Sequence, residues 1–544
     1  MEACNWKLKL LTAACALTTG TNASAFQIAS DVDGLSMRFD NTFKYSVAQR
    51  LKGQDSALIA DVNQDDGDRN FSKNGLISNR IDLLSEFDLT YKNVGLRVSG
   101  AAWYDQAYMN GNDNDSPFTN NSASAPYNDF TSDTKKLHGR RAEVLDAFVF
   151  GKTYVADMLL TGRLGQHTVV FGESLFFGSN GIAAAQAPID IVKLLSVPGT
   201  QFKELMRPVP QISGQIQVNE NVSIGAYYQF KWEKDRIPAA GSYFSSVDML
   251  DAGGERISVI PGAYYFTRTD DVKPKDSGQG GLQVKFRTDG GDTDYGLYAV
   301  QYHAKSPMLM PGGVAAVPVP LQPFLGPFFP TDYSLVYPED IKAFGASLST
   351  TVFDTNVGAE ASVRHDMPLV AQGGVINGPT LYPVGKTFHA QVSWVKLLSN
   401  TALWQGGQFL GEIAYHKVTS VDRNEAMLDP NGTRSASAMR IMFAPAYYQV
   451  ISGLDISIPI NLGYGISGRS LVVHPGFSPK NTGDFSIGIK GEYEKAWQLS
   501  LTYTKFFGTA KTSTGPANSP VQAFSYGQEL ADRDFLSFSV QRAF

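Results

Sequence analysis

One run of oxygen-bearing side chains, Asp61-x-Asn63-x-Asp65-Asp66-Gly67-Asp68, approaches the spacing with which a calcium loop surrounds its ion. Its glycine falls one place late and no glutamate closes the twelfth position, so the run reads as solvated acid on an external loop with no metal ligand expected, divalent-ion binding there being the lesser alternative. Gly463-x-Gly465-x-x-Gly468 spells the dinucleotide fingerprint, but it ends a strand pattern and leads into a loop, with no helix to receive a pyrophosphate. The histidines, His138, His167, His303, His365, His389, His416 and His474, lack zinc spacing, and no G-x-S-x-G elbow occurs. His389 or His416 with a serine on a facing strand keeps a barrel-borne hydrolase as a distant alternative, although nothing singles out such a pair. No catalytic residue and no cofactor is expected.

The elements that carry these residues are strands. In a chain of 544 residues only 18% are charged, 12% are aromatic and glycine occurs 52 times, a composition of strand and turn formers. No window holds the roughly 18 consecutive apolar residues of a membrane-spanning helix. A hydrophobic content of 43% excludes wholesale disorder. A net charge of −6 and a pI near 5.7 exclude a nucleic-acid surface. Residues 1–25 read as a cleaved export signal: Lys7 and Lys9, the apolar run Leu8 to Leu17, then Ala23-Ser24-Ala25. Cleavage there removes Cys4 and Cys15, the only cysteines, and leaves 26–544 as a single domain without disulfides. Acylation at Cys15 is the weaker alternative.

Apolar and polar residues alternate with period two along the chain, as Met37, Phe39, Phe43, Tyr45 and Val47 do against Arg38, Asp40, Thr42, Lys44 and Ser46. The pattern predicts eighteen strands, near 36–47, 79–91, 94–106, 141–153, 158–168, 211–218, 222–233, 280–288, 294–304, 341–352, 357–365, 387–397, 408–418, 437–449, 454–464, 484–493, 497–506 and 533–544. Short connectors such as Lys92-Asn93 trade places with long ones such as 109–138, 169–210, 234–279 and 306–340. Short turns on one rim and long loops on the other predict an all-β, transmembrane, antiparallel up-and-down barrel in a bacterial outer membrane. The sheet must close, because lipid offers nothing to an open edge. A soluble sandwich or β-helix explains neither the rim asymmetry nor the aromatic terminus.

The wet faces then line a lumen with Arg38, Lys44, Arg80, Asp82, Glu86, Arg97, Arg163, Lys231, Lys285, Glu360, Arg364, Glu412, Lys490 and Glu492, mixed in sign and so weakly selective. Connector 169–210, with short helices expected in Ile189 to Leu195 and Thr200 to Met206, is the candidate constriction. Arg163, Glu173, Asp190, Lys193, Lys203, Glu204 and Arg207 are its candidate residues; an external cap is the other placement. Connector 306–340 carries eight prolines among apolar residues, which argues against helix and central strand and for a plug at the mouth, with membrane contact or solute capture as alternatives. Phe324, Phe328 and Phe329 are its candidate apolar contacts.

Leu536, Phe538, Val540 and Phe544 share one face of a final strand, which resembles the terminal signal read by the barrel-insertion machinery, apart from Arg542. The chain also resembles a family of proteobacterial porin-like outer-membrane proteins of unknown function. The matching residues are Gly165-Gln166, Phe171-Gly172-Glu173-Ser174, Pro188, Asp190, Pro198-Gly199, Glu204, Pro208 and Pro210; Trp232, Pro238, Gly241, Phe244, Ser245 and Asp248; Tyr337-Pro338-Glu339-Asp340; Pro445 and Tyr447; and Pro459, Gly468 and Ser470. Phe171 stands where the family usually has tryptophan. The resemblance implies an envelope barrel carrying poorly soluble organic compounds, alongside inner-membrane exporters as possible partners. The expected function is passive passage of small hydrophobic or amphiphilic solutes, in contact with outer-membrane lipid and lipopolysaccharide. A barrel that only anchors an export or surface complex is the alternative.

Overall fold

A computed structural model of the chain describes residues 26–28, 30–197, 201–288, 291–372, 382–473, 476–515 and 523–544. The expected signal segment 1–25 lies outside the described residues, as do Pro198-Gly199 and His474. The short strand β1 (Phe26–Ile28) pairs with β2 (Leu35–Arg50) and is followed by β3 (Leu76–Tyr91), β4 (Val94–Asp105), β5 (Arg140–Val155), β6 (Met158–His167), β7 (Val209–Gln217) and β8 (Val222–Gln229). Strands β9 (Arg256–Ile260) and β10 (Tyr264–Arg268) leave the barrel, which resumes with β11 (Gln279–Arg287) and β12 (Asp294–Tyr302). After the hairpin β13 (Met308–Ala316) and β14 (Phe328–Val336) come β15 (Ile341–Val352), β16 (Thr355–Pro368), β17 (Val384–Leu397), β18 (Gly406–Arg423) and β19 (Ser435–Ile451). The wall ends with β20 (Leu454–Ser457), β21 (Ile460–Gly468), β22 (Gly483–Tyr493), β23 (Trp497–Phe507) and β24 (Phe535–Ala543).

Strands β20 and β21 are one stave interrupted at Pro459, which has no N–H to give the ladder. Counted so, the described residues form a closed antiparallel barrel of eighteen staves, sealed where β24 pairs with β2 from Thr42↔Ala543 to Arg50↔Phe535. Phe544 adds two backbone bonds to Asn41, at 2.8 and 2.9 Å. Closure leaves no sheet edge to lipid, the condition for strands to cross a bilayer. Ala156-Asp157 and Phe353-Asp354 join their strands in turns with both residues at positive φ, the hand that matches strand twist.

The alternation sets the two faces. On β16 to β18, Val363, Val392 and Ile413 stand exposed on the outside, while Glu360, Arg364, His389 and Glu412 are buried inside. The outer surface is thus an apolar band of the kind that suits contact with lipid.

Four elements depart from the sequence reading. Connectors 230–278 and 303–340 build a separate four-stranded sheet in the order β13-β14-β10-β9, with β10 and β14 parallel. The prolines of 306–340 therefore do not prevent a central strand: β14 is bonded on both sides at Asp332 and Tyr333, and Pro330 falls outside the β10–β14 backbone pairing. Trp232, expected within the strand 222–233, lies beyond the end of β8 and is buried under that sheet, where its Nε1–H donates to the Ala304 carbonyl at 3.1 Å. Asp65, Asp66 and Asp68 are buried rather than solvated, because loops 106–139 and 230–278 close over them.

Candidate functional site

Residues 171–187 of the connector between β6 and β7 lie inside the barrel and are fastened to its wall by three strand side chains. Register places Glu360 opposite Gln391, Ser362 opposite His389, and Ser393 opposite Glu412, so these residues share the inner face of β16, β17 and β18. Glu412 accepts the N–H groups of Leu175 at 3.2 Å, Phe176, and Phe177 at 2.7 Å, and the Ser174 hydroxyl at 3.2 Å. Glu360 accepts the N–H of Glu173 at 2.9 Å and of Ile182 at 2.5 Å. Arg364 donates to the carbonyls of Asn180 at 2.6 Å and Gly181 at 2.9 Å. A turn that runs through a barrel has backbone groups without ladder partners, and charged side chains satisfy them with strong bonds. Gly172 is at φ +87°, and a Cβ there would collide with the Glu360 carboxylate.

Asn180 completes the clamp. Its amide donates to Gln391 Oε1 at 3.1 Å, and its Oδ1 lies 2.8 Å from His389 Nδ1. Phe171, Ile182 and Ala185 pack on Tyr227, Tyr298, Val300, Tyr302, Ile341 and Ala343, so this side of the lumen is a dry core. Lys305, lowered by burial to about 8, donates to the carbonyls of Ala184 and Ala185. The hydrolase alternative gains little. His416 Nε2 lies 2.9 Å from Ser470 Oγ, yet no described residue hydrogen-bonds its Nδ1, and the ring is sealed against Phe477.

The second half of the connector turns toward the opposite wall. Pro188 and Arg207 are neighbours, with the Arg207 N–H donating to the Pro188 carbonyl at 2.8 Å. Between them lie short helices at Ile191–Ser196 and Phe202–Leu205, the two the sequence predicted. Asp190 caps the first by accepting the Lys193 N–H at 3.0 Å, and its other oxygen pairs with Arg236 at 2.8 Å. Arg236 also pairs with Glu143 of β5 and covers one side of Trp103, whose ring Arg80 of β3 approaches too. Leu195 packs against the buried cluster that includes Phe71, Ile77 and Tyr108, and Lys193 is within electrostatic reach of Lys44. Arg207 is held below the usual arginine range by burial and by Arg236.

Of the candidate constriction residues, the structure brings Asp190, Lys193, Glu204 and Arg207 together: Lys193 Nζ donates to the Glu204 carbonyl at 3.0 Å. Glu173 sits apart, 3.5 Å from Lys285 of β11, with its carboxyl raised by burial. Arg163 is on the inner face of β6, over the Phe148 ring. The side chains of Lys203 and Phe324 lie outside the described residues. Phe328 is exposed on the loop sheet, and Phe329 packs there on Phe266 at 5.4 Å rather than plugging the lumen. Sequence reasoning counted Glu360, Arg364 and Glu412 as lumen lining and missed their grip on the connector. It missed Arg236 and Glu143 as well.

No curated protein matches the chain. Among solved structures it is similar to OccAB2 of Acinetobacter baumannii, at 10% identity and a TM-score of 0.42, over 95% of this chain and 99% of that one. It is also similar to OpdK of Pseudomonas aeruginosa, solved with vanillate, at 11% identity and a TM-score of 0.39 over 93% and 98% of the two chains. The outer-membrane channel DcaP of Acinetobacter baumannii matches at 10% identity and a TM-score of 0.35, over 95% and 99%. The chain folds as a closed antiparallel β-barrel, and because the sequence pattern of the family described as "Protein of unknown function (DUF1302)" matches residues 6–544, it belongs to that family.

Proposed function

We propose that the protein is a passive channel for small amphiphilic organic solutes, narrowed by 169–210 to a passage along β2 to β6. The observation that carries this reading is the unequal filling of the lumen. Glu412 is fully buried and Arg364 is 2% exposed, whereas Arg80, Asp82, Glu86 and Arg97 keep 26% to 30% of their side-chain surface open on the inner face. Where the connector meets this arc, Lys44, Arg80, Arg141, Lys193, Arg207 and Arg236 mix with the described carboxylates Asp82, Asp105, Glu143, Asp190, Glu204 and Glu233, so neither sign is in excess. Charges of both signs at a narrow point give weak ion selectivity and a polar passage. Export by a leader at 1–25, insertion through the strand ending at Phe544, lipopolysaccharide contact and a single domain over 26–544 belong to the same proposal.

The test uses the adjacency of Pro188 and Arg207. Excising 189–206 joins residues that already touch, and it is expected to raise single-channel conductance in planar bilayers severalfold. Unchanged conductance defeats the constriction. A wild-type barrel that neither conducts nor admits solutes in liposome swelling, yet co-purifies with periplasmic proteins, replaces the channel with the anchoring role.

A further inference from the structure

We propose that Asp65, Asp66 and Asp248, with the carboxamide oxygen of Asn121, bind a calcium ion that ties loops 51–75, 106–139 and 230–278 together above the barrel. One oxygen from each of the three carboxylates can be chosen so that all lie within 4.8 Å of one another, and the three residues are 2%, 2% and 0% exposed. Three oxygens at this cluster have no hydrogen-bond partner although they are buried: Asp65 Oδ1, Asp248 Oδ1 and Asn121 Oδ1. Asn121, itself 8% exposed, is fixed at the cluster by its amide, which donates to Asp66 Oδ2 at 3.0 Å.

The neighbouring cations leave these three oxygens unpartnered. Arg69 holds the other oxygen of Asp65 at 2.6 Å, while Arg50 and Arg533 pair with Asp68 at 2.9 and 3.1 Å. Among the described residues neither Asp66 nor Asp248 has an ion pair. Oxygen donors with no histidine or thiol among them suit a hard cation, and several flexible carboxylates from separate loops suit calcium better than magnesium, which demands a rigid octahedron. The site is preformed by close packing: a Cβ at Gly67 would lie 2.8 Å from both Arg533 Nη1 and the Ser242 carbonyl, so only glycine lets this turn approach loop 230–278.

The test is a calorimetric titration of calcium chloride into the detergent-solubilised, chelator-treated full-length barrel, with thermal unfolding followed in calcium and in chelator. One ion per chain is expected, with a dissociation constant on the order of 10⁻⁴ M or tighter and a higher unfolding temperature in calcium. Asp248→Asn and Asp66→Asn are each expected to weaken binding roughly tenfold or more, since even partners one shell removed from a metal cost that much. A wild-type protein that takes up no calcium overturns the site. So does binding that survives undiminished in the variants. Because the wild-type titration alone decides the first point, the proposal stays falsifiable if a variant fails to fold.

Discussion

The two sides of the lumen use the same residue types to opposite ends. Along β16 to β18, Glu360, Arg364 and Glu412 are dry and spend their hydrogen bonds on the backbone of 173–182. Along β2 to β5, Arg97 pairs with Glu86, with Asp88 at 3.1 Å and with Asp146 at 3.5 Å, and Arg80 pairs with Asp82 at 2.6 Å, all half-open to the inner space. A charged residue facing the inside of a barrel is therefore no measure of a pore by itself. Its partners decide: backbone N–H groups from a folded connector make it a fastener, whereas other side chains leave it facing water.

That contrast can be broken most severely at Glu412. Glu412→Ala strands the N–H groups of Leu175, Phe176 and Phe177 without acceptors, an expected loss of about 3 kcal/mol of stability. Proteolysis within 171–187 is expected to follow, read by limited digestion of the folded barrel, together with raised conductance.

A second, smaller effect tests the loop layer that covers the wet side. His138 stacks on Tyr108, accepts the Ala239 N–H at 3.1 Å, and is lowered by burial to about 3 from 6.5. Its neutral form is the folded form, so stability is intact above the unfolded value and falls as pH drops from 6.5 toward 3. The expected loss is about 2 kcal/mol between pH 7 and pH 5, and His138→Gln is expected to flatten that part of the stability profile, measured by denaturant unfolding. Glu86→Gln on the wet arc sharpens the comparison from the other side. It is expected to cost about 0.5 kcal/mol or less and to shift the reversal potential in a salt gradient toward anions. The smallest effect is expected from Lys193→Glu, a change of about twofold in the anion-to-cation permeability ratio in the same measurement, in the opposite direction.

Much of this was legible in the residues. All eighteen staves fall where alternation predicts them, since inward and outward positions follow from a period of two that each segment carries locally. The short helix after Pro188 was legible too, but Asp190, expected inside it, caps it by accepting the Lys193 N–H. The loop sheet was not: β9, β10, β13 and β14 are short, and β10 joins β14 across more than sixty residues, Thr267 facing Asp332. The acidic run at 61–68 was read as solvated because its cover, Asn114, Asn121 and Asp248, comes from elsewhere in the chain.

The amino-acid order alone thus determined the barrel, its faces and its two unequal rims. Only the tertiary structure decided which inward charges clamp and which stay wet. Ser174 meets Glu412 across 238 residues and Glu173 meets Glu360 across 187. Those contacts exist because the sheet closes into a cylinder and brings distant strands within one connector's reach, a property no local pattern records.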